Sequence, residues 1–158
     1  MSVVVSDASA LIALEQIGQL ALLERLFATL LIPPAVARES AAGGTLPTWI
    51  HERRLEQPLS SQVLRASLGP GESEAISLAL EAHADLLIVD DRPARRLAQA
   101  LGIPIIGTLG VLFAAKRKGI ITALRPHIDA LLAAGFRVAP DLVERILVDA
   151  RESELVDG

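Results

Sequence analysis

Apolar residues fall along the chain in two rhythms, short unbroken runs and longer stretches where they recur every three or four positions. The first kind predicts strands buried on both faces, and the second predicts helices with one buried stripe. Val3-Val4-Val5, followed by Ser6-Asp7, predicts a first strand that ends in a carboxylate. Residues 8–14 and 17–27 then carry helical spacing, with Leu20, Leu23, Leu26 and Phe27 on one stripe. Leu30-Leu31-Ile32 predicts the second strand. Pro33-Pro34 ends it, and Pro34 suits the first turn of a helix reaching about residue 41, where a missing N–H costs nothing. Gly43-Gly44 and the segment through Pro58 predict a loop with one short strand near residues 54–57, in which Trp49 reads as a packing anchor.

From Gly69 the rhythm sharpens. Gly69-Pro70-Gly71 opens a predicted helix over residues 72–82, and a strand over 86–89 follows, closed by Asp90-Asp91. A helix over 92–101 stops at Gly102, and a strand over 103–106 precedes Gly107-Thr108. Strands and helices alternating at these lengths imply right-handed crossovers, so the fold class is α/β, a three-layer α/β/α sandwich with a mainly parallel sheet of about five strands. Extra C-terminal helices are predicted over 109–118, 124–134 and 140–150, separated by Gly119 and Gly135, with Thr108 and Pro140 as start signals. Leu142, Val143, Ile146 and Leu147 form a stripe that must cover either the domain's own sheet or a second chain, as in a homodimer. One domain over residues 1–150 is expected, with a frayed tail over 151–158.

Composition raises one question that the pattern answers. Hydrophobic residues make up 51% of the chain, enough to consider a membrane span. The uncharged stretch at residues 100–115 is broken by Gly102, Pro104, Gly107 and Gly110, and falls short of the roughly 18 to 20 apolar residues a span requires. Met1 runs straight into a strand-like segment and not into a leader, so the expected location is the cytoplasm. With no cysteine, a metal must be held by oxygen or by one of three histidines. A net charge of −4 and a pI near 5.4 exclude a globally basic protein that coats nucleic acid, but not a local basic rim around an acidic pocket.

In open parallel sheets ligands bind beyond the carboxyl ends of the strands, which singles out Asp7 and Asp90. Glu72 shares a helical stripe with Ala75, Ile76 and Ala79, whereas Glu74 shares a more polar face with Ser77, Leu78 and Glu81, so Glu72 is taken as the inward residue. Glu39 falls on the side of Ala35 and Val36 by the same spacing. The competing reading is that the aspartates cap helices or turns and the glutamates merely stabilise helix N-termini. Four carboxylates converging in one half-buried cup repel one another, and the usual remedy is a hard cation, Mg²⁺ or Mn²⁺. Such a site invites phosphate chemistry. His51, His83 and His127 have no metal-motif spacing.

Ser6-Asp7-Ala8-Ser9-Ala10-Leu11-Ile12 resembles the opening of PIN-domain proteins, in which an aspartate closes the first strand and Ser or Thr follows two residues later. Glu39 matches the second acidic position of that family, and Glu72 and Asp90, eighteen residues apart, resemble its third and fourth. Gly71-Glu72-Ser73-Glu74-Ala75-Ile76 together with Asp90-Asp91-Arg92 resembles one branch in particular. The resemblance implies Mg²⁺- or Mn²⁺-dependent cleavage of RNA, in many relatives by the toxin of a toxin–antitoxin pair held in check by a small antitoxin protein. It makes Asp7, Glu39, Glu72 and Asp90 catalytic metal ligands, with Asp91 replacing or assisting Asp90, and Ser9 and Thr108 supporting them from behind. Arg92, Arg95 and Arg96 would contact the RNA, whereas Lys116, Arg117 and Lys118 are read as complementing a helix dipole. One departure stands out: the third position is Glu72 where many active relatives carry Asp, so the metal is expected to shift or the activity to weaken. A PIN-like module that binds RNA or protein without cutting is the alternative. A phosphatase would need a second aspartate near Ser9, and a receiver domain a lysine where Gly107-Thr108 stands.

Overall fold

Five short strands form one parallel sheet in the computed structural model, which describes residues 2–40 and 45–152. The chain runs β1 (Val4–Ser6), α1 (Ala8–Gln16), α2 (Ala21–Phe27), β2 (Leu30–Ile32), α3 (Pro34–Ser40) and β3 (Ile50–Glu52). It continues through α4 (Ser61–Arg65), α5 (Pro70–Glu81), β4 (Leu86–Ile88), α6 (Arg92–Ala100) and β5 (Ile105–Ile106). Three helices finish it: α7 (Thr108–Arg117), α8 (Arg125–Ala133) and α9 (Pro140–Asp149). The strand order is β3-β2-β1-β4-β5, every pairing is parallel, and helices cover both faces. This is the predicted α/β/α sandwich.

The order dictates where a ligand can sit. From β1 the chain steps outward to β2 and β3, then crosses back to place β4 on the other side of β1 and steps outward again to β5. Connections therefore diverge above the carboxyl ends of β1 and β4, which opens a crevice at that switch point. The two strands are locked in register, Val4 against Leu86, Val5 against Leu87 and Ser6 against Ile88. Val5, Leu87 and Ile88 are fully buried, each large apolar side chain contributing about 1.5–3 kcal/mol. The register thus brings Asp7 and Asp90 to the same edge of the sheet.

Several boundaries differ from the sequence prediction. The third strand is Ile50–Glu52 and not residues 54–57: Leu30 pairs with Ile50, whose side chain is buried, while His51 and Glu52 face water at the sheet's edge. One apolar residue in three is too little for periodicity to detect. Helix α1 stops at Gln16 and α2 starts only at Ala21, because Gly18 takes a left-handed φ of +70° between them. Helix α5 begins at Pro70, two residues early, since proline suits the first helical position. Helix α4, capped by the Ser60 hydroxyl, was not predicted, and Trp49 packs half-buried against the core.

Helix α7 packs on α1 and α2, and α8 packs on α1. Helix α9 is shallower, with Leu147 as its one buried residue and Leu142 exposed. Its end is tied down by charge. Lys116 Nζ donates to the Ala150 carbonyl (2.8 Å) and to Glu152 Oε2 (2.5 Å), and the Leu124 and Arg125 amides donate to the same carboxylate (2.7 and 3.1 Å). Glu152 is therefore anchored where fraying was expected, while the remainder of that tail and the Gly43-Gly44 loop lie outside the described residues. Among the described residues no helix is long and apolar enough to cross a membrane.

Candidate metal centre at the carboxyl edge of the sheet

Asp7 follows β1 directly and begins α1. Its Oδ1 accepts from the Ala10 amide (3.1 Å), so the helix-cap reading of this residue is correct as far as one oxygen goes. The other oxygen tells more. Asp7 is 1% exposed, and Oδ2 is buried with no hydrogen-bond partner. A buried carboxylate oxygen left unpaired costs several kcal/mol or more, so in most proteins it is paired, protonated or bound to a cation.

Asp90 reaches the same place from β4. The Thr108 amide donates to its Oδ1 (2.9 Å) and the Thr108 hydroxyl to its Oδ2 (2.5 Å), which fixes the carboxylate at the start of α7. Thr108 is fully buried and thus supports Asp90 from behind. Glycine at 107 makes the approach possible: a Cβ there would stand 2.8 Å from Asp90 Oδ1 and 3.0 Å from Arg95 Nη1. Asp91 does different work, capping α6 by accepting from the Ala94 amide (3.3 Å) from an exposed position.

Glu72 is half-buried in the first turn of α5, and its Oε2 lies against Gly69, where a Cβ would come within 2.7 Å. Glu74, one step round the helix, accepts from the Ala35 amide (3.0 Å) and clamps the start of α3 to α5. Of the two glutamates, Glu72 is the one whose charge reaches Asp7. Glu39 is exposed, and its carboxylate leans on Gly71, 2.8 Å from where a Cβ would be. It borders a separate cavity of about 370 Å³ beside Leu11, Ile12 and Leu46. Asp7, Glu72 and Asp90 have their carboxylates at the N-termini of α1, α5 and α7, whose partial positive charge offsets some of their repulsion, whereas Glu39 is in the last turn of α3 with its carboxylate against the first turn of α5.

The crowding shows in Asp7. Its pKa is pushed up from 3.8 to about 7, chiefly by burial; the backbone amides of Ala10 and Asp90 oppose the rise, and the charges of Asp90 and Glu72 add to it. Asp7 thus feels the charges of both other carboxylates at the switch point. The three do not meet at a point, and among the described residues no three or more histidine, aspartate or glutamate side chains are arranged to hold one ion.

A cleft of about 950 Å³ opens at this edge, and its polar lining includes Ser9, Glu72, Asp90, Asp91, Arg92 and Arg95. Arg95 Nη1 donates to the Val89 carbonyl (2.9 Å), which holds the guanidinium at the rim. Arg96 is exposed and does not line the cleft. Lys116 serves the α9 anchor instead, and Arg117 lies over the Phe113 ring at 5.9 Å.

A family model described as a PIN domain matches residues 3–152, nearly the whole chain. The chain belongs to the PIN-domain family. Curated proteins provide no match to it. PIN domains are in general nucleases, hydrolases that use divalent metal, and this chain has that nuclease-type fold. The donors suit a hard cation by chemistry, though they are not gathered around one point: the oxygens are carboxylates, and the unpaired Asp7 Oδ2 is the kind of atom such an ion satisfies. Sequence reasoning passed over Gly71 and Gly107, whose missing side chains let Glu39 and Asp90 lie against backbone; only their neighbourhood in space gives them that role. Phe136 and Arg137, which line the same cleft, were passed over for the same reason.

Proposed function

We propose that this PIN domain is a metal-dependent ribonuclease that hydrolyses RNA phosphodiester bonds in the cytoplasm, as the toxin of a toxin–antitoxin pair. The observation that carries the reading is the buried, unpartnered Oδ2 of Asp7 beside Asp90 and Glu72 at the switch point of a parallel sheet. In this reading Asp7, Glu72 and Asp90 hold Mg²⁺ or Mn²⁺, while Glu39, leaning on Gly71, stands outside the cleft. When bound, such a cation neutralises the phosphate and acidifies water. Thr108 keeps Asp90 aimed, Ser9 lines the mouth, and Arg92 and Arg95 meet the phosphate backbone. Asp91 stays with its helix cap, and Arg96 has no part in the cleft.

One observation favours the second reading, a PIN-like module that binds RNA or protein without cutting: Glu39 is exposed and stands away from the cleft. The two readings separate in one assay. Protein purified free of any partner and supplied with Mn²⁺ should cut single-stranded RNA slowly, leaving 5′-phosphate ends, and Asp7→Asn should lower that rate at least a hundredfold, roughly the scale of losing a group that acts on the transition state. Intact RNA with both proteins leaves the binding module as the answer.

A further inference from the structure

The cleft has a lining of two kinds. Besides the carboxylates and arginines it includes an apolar shelf of Ile106, Leu109, Phe136, Val138 and Leu142, with Arg137 following Phe136 in the chain. A phosphate and an ion need only the polar lining. At about 950 Å³ the cleft approaches the upper limit of the roughly 300–1,000 Å³ typical of sites that enclose an organic ligand. Folding does not account for the shelf either, since Leu142 is 44% exposed on a helix whose one buried residue is Leu147.

Phe136 is held in advance of any ligand. Gly135, at φ +96°, turns the chain out of α8, and the Phe136 amide then donates to the Leu131 carbonyl (2.9 Å), closing the helix. The ring is half-buried against the core and lines the cleft with its remaining surface. An aromatic face with a neighbouring arginine is the pairing by which proteins hold single-stranded nucleic acid, because every base has a face to stack and every linkage has a charge.

We propose that this shelf takes the nucleobase next to the scissile phosphate, with Phe136 as its stacking platform and Arg137 meeting the flanking phosphate. The assignment rests on the ribonuclease reading above and names a specificity-determining residue for it. Cations from two separate stretches of the chain, Arg92 and Arg95 on α6 and Arg137 after α8, line this one cleft and favour a polyanion over an apolar peptide segment.

The test uses a short fluorescein-labelled single-stranded RNA and a set of its copies, each missing one base, with binding read by anisotropy in Ca²⁺ and cleavage by gel in Mn²⁺. Loss of one particular base should weaken binding to the wild-type protein about five- to a hundredfold, the scale of one stacked base. The same loss should add nothing in Phe136→Ala or in Phe136→Leu, which keeps the packing, and Phe136→Trp should restore it. Thermal melting confirms that each variant is folded. No position-dependent loss with the wild type, or an equal loss in every variant, overturns the proposal and gives the shelf to a protein partner. Base coupling without cleavage would sink the nuclease reading and leave the shelf; cleavage without coupling would do the reverse.

Discussion

At Asp7 one carboxylate meets two demands, with Oδ1 capping α1 and Oδ2 buried beside two other acids. The pH consequence follows from its raised pKa. Between the ordinary value of 3.8 and about 7 the folded protein keeps a proton that the unfolded chain has released, so this residue's contribution to stability is full at low pH and is lost as pH rises through 7. Asp7→Asn keeps a capping oxygen and removes the charge. It should stabilise the metal-free protein at pH 8 by on the order of 2 to 4 kcal/mol, by about half as much or less at pH 5, and do little below about pH 4, as read from urea unfolding across that range. A variant less stable than wild type at pH 8 would make the carboxylate purely structural. Gly107→Ala should act on Asp90 and Arg95 together, because both lie within 3.0 Å of the new methyl group. An RNA-cleavage rate unchanged by that substitution would show that the positions of these two side chains do not matter to the chemistry.

Elements here are joined by a few charged clamps as well as by the core. Glu74 on α5 holds the first turn of α3, and Glu152 holds α7, α8 and the end of α9 together. Glu74→Gln keeps the acceptor but loses its charge at the helix terminus, so it should cost about 0.3–1 kcal/mol, and Glu74→Ala about 1–2 kcal/mol, both by chemical denaturation. Equal stability of Glu74→Ala and wild type would deny the clamp. For Glu152, burial pushes the pKa up, but the Lys116 hydrogen bond and the Leu124 and Arg125 amides more than offset it and hold the carboxyl below its usual range. The sign is opposite to that of Asp7: this stabilisation is present above the ordinary glutamate pKa of 4.5 and is lost as pH falls below it. Amide exchange in α9 should therefore speed up in acid before that of β1 or β4, and uniform exchange would refute a local latch.

For the molecule as a whole, the central expectation is coupling between metal and folding. A cation bound by the folded state and not by the unfolded chain raises the melting temperature in proportion to the logarithm of its concentration once the site fills. Mn²⁺ should do so for the wild-type protein and much less for Asp7→Asn or Asp90→Asn. Equal shifts in all three proteins would place the ion elsewhere. The cleft that joins this edge to the Phe136 shelf exists only because α8 and α9 return the C-terminal part of the chain to the mouth of the sheet.

Asp7, Asp90 and Glu72 were legible in the sequence because each is defined by local pattern: a carboxylate after a buried run, or on the apolar stripe of a helix. The same patterns determined the strands Val4–Ser6, Leu30–Ile32 and Leu86–Ile88 and the helices between them. Periodicity reports which way a residue faces on its own element, and nothing about what stands opposite. Only the tertiary structure could decide that Glu39 leans on Gly71 and away from the cleft, that Thr108 grips Asp90, that Glu74 clamps α3, and that Phe136 lines the same cleft as Asp90 and Glu72. Each of those pairings joins residues on different elements, many positions apart along the chain, and a pairing of that kind exists only once the sheet order has been chosen.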